Sequence, residues 1–209
     1  AFLSGATMMP RGFGSMLSML ITGTLSNKID NRLFVMLGLA LIGGSSLVFG
    51  SLNLQISNMN IAIPNFFMGM GMGLSMVPIM NLSVDTLKNE QMTNATGIQN
   101  LLKNIGSAIG TSLVATMLTR FAQVHQYMLV GKMSELNPVF IERVQTTAGA
   151  LSAYTEHSVA QYMAQYSYYG QLVKQSTLWA FIDSFRIFGV LCLAVIPLLL
   201  LMKKIKKDA

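Results

Sequence analysis

The chain has 209 residues, 52% of them hydrophobic and only 11% charged, with a net charge of +6 and a mean hydropathy of +0.53. An average soluble domain carries about 25% charged residues, so the composition excludes an ordinary soluble domain and fits the bilayer as solvent. The basic residues sit mainly in short segments between apolar runs, the pattern that sets membrane orientation. They lack the interleaving of basic and aromatic residues on a polar domain that marks a nucleic-acid surface, so no nucleic-acid partner is expected.

A membrane-crossing helix needs about 20 mostly apolar residues, and five stretches qualify in chain order. The first runs over about 2–25 and is interrupted by Pro10-Arg11; the second covers 33–52 and the third 61–82. The fourth, about 96–118, is the most polar because it holds Gln99, Asn100, Lys103 and Asn104. The fifth is 177–202, ending in a run of leucines before a basic tail at 203–209. Between them lie short links at 26–32, 53–60 and 83–95, and one long stretch, 119–176, rich in Gln, Ser, Thr and Tyr. That stretch reads as a long extracytoplasmic loop, partly helical, since a structureless loop of such length is uncommon. Its tyrosines, among them Tyr154, Tyr162, Tyr166, Tyr168 and Tyr169, suit an interfacial belt in contact with membrane lipid or packing on a partner. The opening Ala1-Phe2-Leu3 has no charged leader and reads as a cut at the edge of a hydrophobic segment.

Orientation follows from Lys and Arg in the short loops. Lys203, Lys204, Lys206 and Lys207 place the C-terminus in the cytoplasm. Five crossings then put the Lys28/Arg32 link and the Lys88 link inside as well, and the uncharged 53–60 link and the long stretch outside. The expected location is a cell (inner) membrane, multi-pass.

No constellation points to an enzyme. His125 and His157 stand without a second ligand at metal spacing, no Gly-rich loop carries the Lys and Ser/Thr of a phosphate site, and no cofactor is expected. Cys192 lies alone in an apolar run, which excludes an internal disulfide. The glycines Gly69 and Gly73, and again Gly106 and Gly110, form small-xxx-small pairs that suit close helix packing.

Charges inside the spans are more informative. A charge at the bilayer centre costs about 2.5–3.5 kcal/mol on insertion scales, so it faces a cavity or a partner. Arg11 follows Pro10 in the first span, and Lys103 sits one turn before Gly106 in the fourth. Asp183 and Arg186 lie three apart on one face of the fifth. The pair serves either as a local ion pair or as a proton site, in which Arg186 favours ionised Asp183 and burial favours the protonated form. Lys103 serves to meet an acidic or polar substrate group, to pair with a carboxylate elsewhere in a longer protein, or to snorkel to the interface. Pro10 and Pro78 bend their spans, and broken helices often line a transport path. Arg11, Asn100, Lys103 and Asn104 are therefore candidate pathway residues.

The link Gly23-Thr24-Leu25-Ser26-Asn27-Lys28-Ile29-Asp30-Asn31-Arg32 resembles the loop signature of the major facilitator superfamily, G-x-L-[SA]-[DN]-[KR]-x-[DG]-x-[RK]. The segments 5–14, 64–78 (Pro-x4-Gly-x-Gly-x-Gly-x4-Pro) and 100–110 resemble its fourteen-helix drug/proton antiporter branch, the EmrB/QacA type, and so does the long outer stretch before the last span. The resemblance covers nearly the whole chain. It implies the C-terminal helical bundle of that fold, with the tenth to fourteenth helices present and the N-terminal half of the transporter missing. It implies export of small amphipathic or cationic drugs against protons and, in Gram-negative cells, contact with a periplasmic adaptor protein. Gly23, Lys28, Asp30 and Arg32 would be the inner-loop residues whose contacts break and re-form in alternating access. Asn27 stands where many relatives carry Asp, which weakens that charge network. The same fold also carries lipids, siderophores and amino acids. A non-transporting membrane scaffold, a further alternative, has little use for Arg11, Lys103 and Asp183.

Overall fold

The computed structural model describes residues 2–26, 29–53, 58–84, 91–134 and 137–200. Among the described residues six α-helices run in the order α1 (Phe2–Leu25), α2 (Asn31–Phe49), α3 (Asn58–Val84), α4 (Met92–Val130), α5 (Pro138–Leu151) and α6 (His157–Leu200), with a 3-10 turn at Gly131–Met133. Among the described residues there is no strand, and the fold is all-α.

Four helices, α2, α3, α4 and α6, are long and apolar enough to cross a membrane. Five spans are expected from the sequence; α1 meets the length, about 36 Å at 1.5 Å per residue, but Pro10-Arg11 and its Gly, Ser and Thr residues lower its hydropathy. α4 and α6, at 39 and 44 residues, extend about 58 Å and about 66 Å, well beyond a hydrocarbon core of about 30 Å. The stretch 119–176 is therefore occupied by the end of α4, by α5 and by the first part of α6. Its polar composition hides these helices from a hydropathy reading. Its only proline, Pro138, stands in the first turn of α5, where a missing N–H costs nothing, and Asn137 caps that helix by accepting a hydrogen bond from Val139 N at 3.2 Å.

The chain divides into two compact units. The first comprises Ala1–Thr111 and Ser184–Ala209. In it α3 packs against both α1 and α2, and the last part of α6 packs on α2 through Gly43, Gly189 and Leu193. The seams are made of small residues. A side chain on Gly69 would run into the Arg11 carbonyl, and one on Gly73 into Ser18 and the Ser15 carbonyl. Gly71 and Gly38 let α2 and α3 approach in the same way. The buried hydroxyls on these seams are satisfied within their own helices. Thr22 Oγ1 donates to Ser18 O at 2.7 Å, Ser75 Oγ to Gly71 O at 2.9 Å, and Ser46 Oγ to Ile42 O at 2.8 Å. Phe34, Phe49 and Leu74 are buried, but many large apolar side chains point outward: Met9, Phe13, Met16, Leu20, Leu37 and Ile63 are all exposed. Such an inverted distribution suits lipid, where association rests on close packing of small residues instead of water exclusion.

The second unit is Ser112–Asp183. Its core is conventional: Val144, Ala148 and Ala164 are buried, with Phe140, Leu151 and Tyr168 packed on them. The Phe140 and Tyr168 rings meet edge to face at 6.1 Å, and the Tyr168 hydroxyl hydrogen-bonds Thr147 Oγ1 at 3.0 Å.

Candidate functional site

Within the first unit, α3 and α4 enclose a cleft of about 430 Å³, within the usual range of small-molecule sites. Met76, Ile79 and Met80, at helical spacing on α3, form one wall; Gln99, Asn100, Leu102 and Lys103 on α4 form the other. Two of the four candidate pathway residues, Asn100 and Lys103, thus come together. The other two lie elsewhere. Arg11 Nη2 approaches Met72 Sδ at 3.0 Å, and Asn104 is exposed and outside the cleft lining.

Within the second unit, His125 Nε2 and Asp183 Oδ2 are 2.7 Å apart. This contact joins α4 to α6 across 58 residues of sequence. Both side chains are half-buried, at 23% and 31% exposure, and the Trp179 indole lies 6.1 Å from the imidazole, centroid to centroid. One residue further along α4, Gln126 Nε2 donates to the Tyr169 hydroxyl at 3.0 Å. His125 was not a proton candidate in the sequence, because nothing at a separation of 58 residues identifies its partner. Arg186, read there as the neighbour of Asp183, donates from Nε to the carbonyl of Gly50, the C-cap of α2, at 2.8 Å. Each member of the Asp183/Arg186 pair therefore has a partner on another helix.

The inner-loop signature is described in part. Asp30 is the N-cap of α2, its carboxylate accepting from Arg32 N at 3.2 Å, and Ser26 Oγ donates to Asn31 Oδ1 at 2.6 Å. Nothing described lies within 4 Å of a side chain built on Gly23. Asn27 and Lys28 lie outside the described residues, as do Lys88 and the basic tail. Of the glycine pairs, Gly69 and Gly73 face α1, whereas Gly106 and Gly110 face open space in this chain. Among the described residues no group of His, Cys, Asp and Glu is arranged to hold a metal ion.

This is a bundle with lipid-type seams, membrane-length helices and charges set within them. The sequence model of the Major Facilitator Superfamily matches residues 1–111, just over half of the chain. The chain belongs to the major facilitator superfamily. Membership and its apolar helices make it part of a multi-pass membrane protein; members of the superfamily are transporters and not enzymes. It is 24% identical over its whole length to the uncharacterized MFS-type transporter YhcA of Bacillus subtilis, covering 40% of that protein. It is 31% identical over 65% of its length to the multidrug resistance protein B homolog of Mycobacterium tuberculosis, covering 25% of it. To the colistin resistance protein EmrB of Acinetobacter baumannii it is 26% identical over 86% of its length, covering 35% of it. The chain thus spans a quarter to two-fifths of the length of these superfamily members. No solved structure matches it.

Proposed function

We propose that the chain is the C-terminal half of a proton-coupled multidrug efflux transporter that works by alternating access in the cytoplasmic membrane, with the basic tail 203–209 in the cytoplasm. Superfamily membership supports transport, and relatives named for multidrug and colistin resistance support drug export. The observation that carries proton coupling is the His125–Asp183 contact at 2.7 Å. Carboxylates and imidazoles within membrane-length helices are the usual members of proton relays. Here one proton added or removed changes the bond that joins α4 to α6, because an imidazolium–carboxylate pair is stronger than its neutral counterpart. No residue of α4 is buried in this chain, which leaves its faces available to the N-terminal half of the same protein. Exposed Tyr154, Tyr162 and Tyr166 in the second unit offer a surface to lipid headgroups or to a periplasmic adaptor protein.

The test is dye efflux driven by a proton gradient in inverted vesicles carrying the full-length parent, with Asp183→Asn and His125→Gln beside wild type. We expect wild type to move dye and both variants to lose at least about tenfold in rate, the scale of about 1.4 kcal/mol, at equal expression. Full activity in both variants would move coupling to the other half. Wild type that moves no dye under the gradient would end the drug-export reading.

A further inference from the structure

The α3–α4 cleft selects for the sign of charge on its ligand. We infer that it binds a small amphipathic organic anion, a carboxylate or sulfonate on an apolar body, with Lys103 at the head group and Met76, Ile79, Met80 and Leu102 along the body. The inference rests on the transporter reading above and deepens it.

Three observations carry it. First, among the described residues Lys103 is the only charged one lining the cleft, and its ammonium has neither a hydrogen-bond nor an ion-pair partner among them. Second, neither helix that builds the cleft contains a carboxylate. The sequences Asn58–Val84 and Met92–Val130 hold no Asp or Glu, and their only charges are Lys103 and Arg120. Third, no aromatic side chain lines the cleft among the described residues. Among the described lining residues an organic cation would therefore find no carboxylate and no ring face for cation–π contact, and it would face a like charge. An anion would give Lys103, which is exposed in this chain, a counter-charge beside an apolar wall. The Gln99 and Asn100 amides, on the same face of α4, add donors for further head-group oxygens. Methionines suit an undemanding apolar wall because they repack around different shapes.

The experiment measures binding with no gradient. Purified full-length protein in phosphatidylcholine nanodiscs is titrated with anilinonaphthalene sulfonate as the anion and ethidium as the cation. Lys103→Gln should weaken the sulfonate about tenfold, and Lys103→Arg should restore it. Lys103→Glu should shift preference from the sulfonate to ethidium. Ile79→Trp, which fills the cleft and leaves the charge, should weaken the sulfonate too, and a melting curve for each variant separates lost binding from lost fold. Sulfonate affinity unchanged by Lys103→Gln in folded protein, or equal loss of both dyes, overturns the inference. Phosphatidylglycerol that displaces the sulfonate only when Lys103 is present assigns the cleft to a lipid head group and overturns the soluble ligand. Wild-type efflux under a proton gradient, run in parallel, reports on the transporter reading separately. A sulfonate that depends on Lys103 beside absent efflux would leave the site standing and remove transport.

Discussion

The two units of this chain bury different mixtures of residue. In the first, Ser18, Thr22 and Ser46 are completely buried beside Val35 and Pro78, and many Phe, Leu and Met side chains face outward. In the second, Val144, Ala148 and Ala164 are inside, and Tyr127, Tyr154 and Tyr162 are exposed. Water and lipid select for different buried residues. Water rewards hiding apolar area, by roughly 25 cal/mol per Å². Lipid gives no such reward, so helices there associate through close backbone approach and van der Waals contact. One chain follows both rules, and the change falls within the continuous helices α4 and α6.

The largest effect should come from filling a seam of the first unit. Gly73→Leu drives a branched side chain into Ser18 and the Ser15 carbonyl, which lies 2.7 Å from a built Cβ. Overpacking of this kind, against backbone that cannot yield, should cost about 3 kcal/mol or more. The expected outcome is loss of the monodisperse peak of the full-length transporter in detergent size-exclusion chromatography. Gly149 in α5 sharpens the comparison, since nothing lies within 4 Å of a side chain built there. Gly149→Ala should stabilise the second unit by about 0.5–1 kcal/mol, because alanine is the better helix former. A tolerated Gly73→Leu would mean that the α1–α3 seam is looser than its geometry.

A smaller effect should follow from thinning the core of the second unit. Val144 is 6% exposed, and Val144→Ala removes two methyl groups, about 1.5 kcal/mol at about 0.8 per buried carbon. The observable is faster hydrogen exchange across α5 and the adjoining part of α6, with the amides of α2 and α3 unchanged. Equal acceleration in both units would show one cooperative body and would erase the comparison.

The sequence made the first unit more legible than the second, for a physical reason. Hydropathy reports contact with lipid, so it marks 33–52 and 61–82, where α2 and α3 run over Asn31–Phe49 and Asn58–Val84. It is silent about helix that stands in water. The polar ends of α4 and α6, with Gln123, Gln126, Gln161 and Gln165, therefore read as a loop that is only partly helical, although nothing in them breaks a helix. Of the candidate site, Asn100 and Lys103 were legible as neighbours because a helix turn places residues three apart on one face. The opposing wall at Met76–Met80 was not, since an apolar run looks the same whether it faces lipid or a cleft. The partnership of His125 and Asp183 depends on how two helices meet, which no local pattern encodes.

The smallest effect is the most discriminating about what holds the first unit together. Thr22 is completely buried, and its hydroxyl donates to Ser18 O at 2.7 Å. If hydrogen bonds held the seam, Thr22→Val would be severe. That carbonyl belongs to Thr22's own helix, however, so the bond joins nothing across the seam, and side-chain hydrogen bonds in membrane helices average only about 0.6 kcal/mol. Valine keeps the volume and the β-branch. Thr22→Val should therefore change the melting of the full-length protein by no more than about 0.6 kcal/mol, whereas Thr22→Leu, with the extra carbon forced into the contact, should cost about 1–3 kcal/mol. A Thr22→Val loss as large as that of Thr22→Leu would mean that polarity, and not size, selects the residues between these helices.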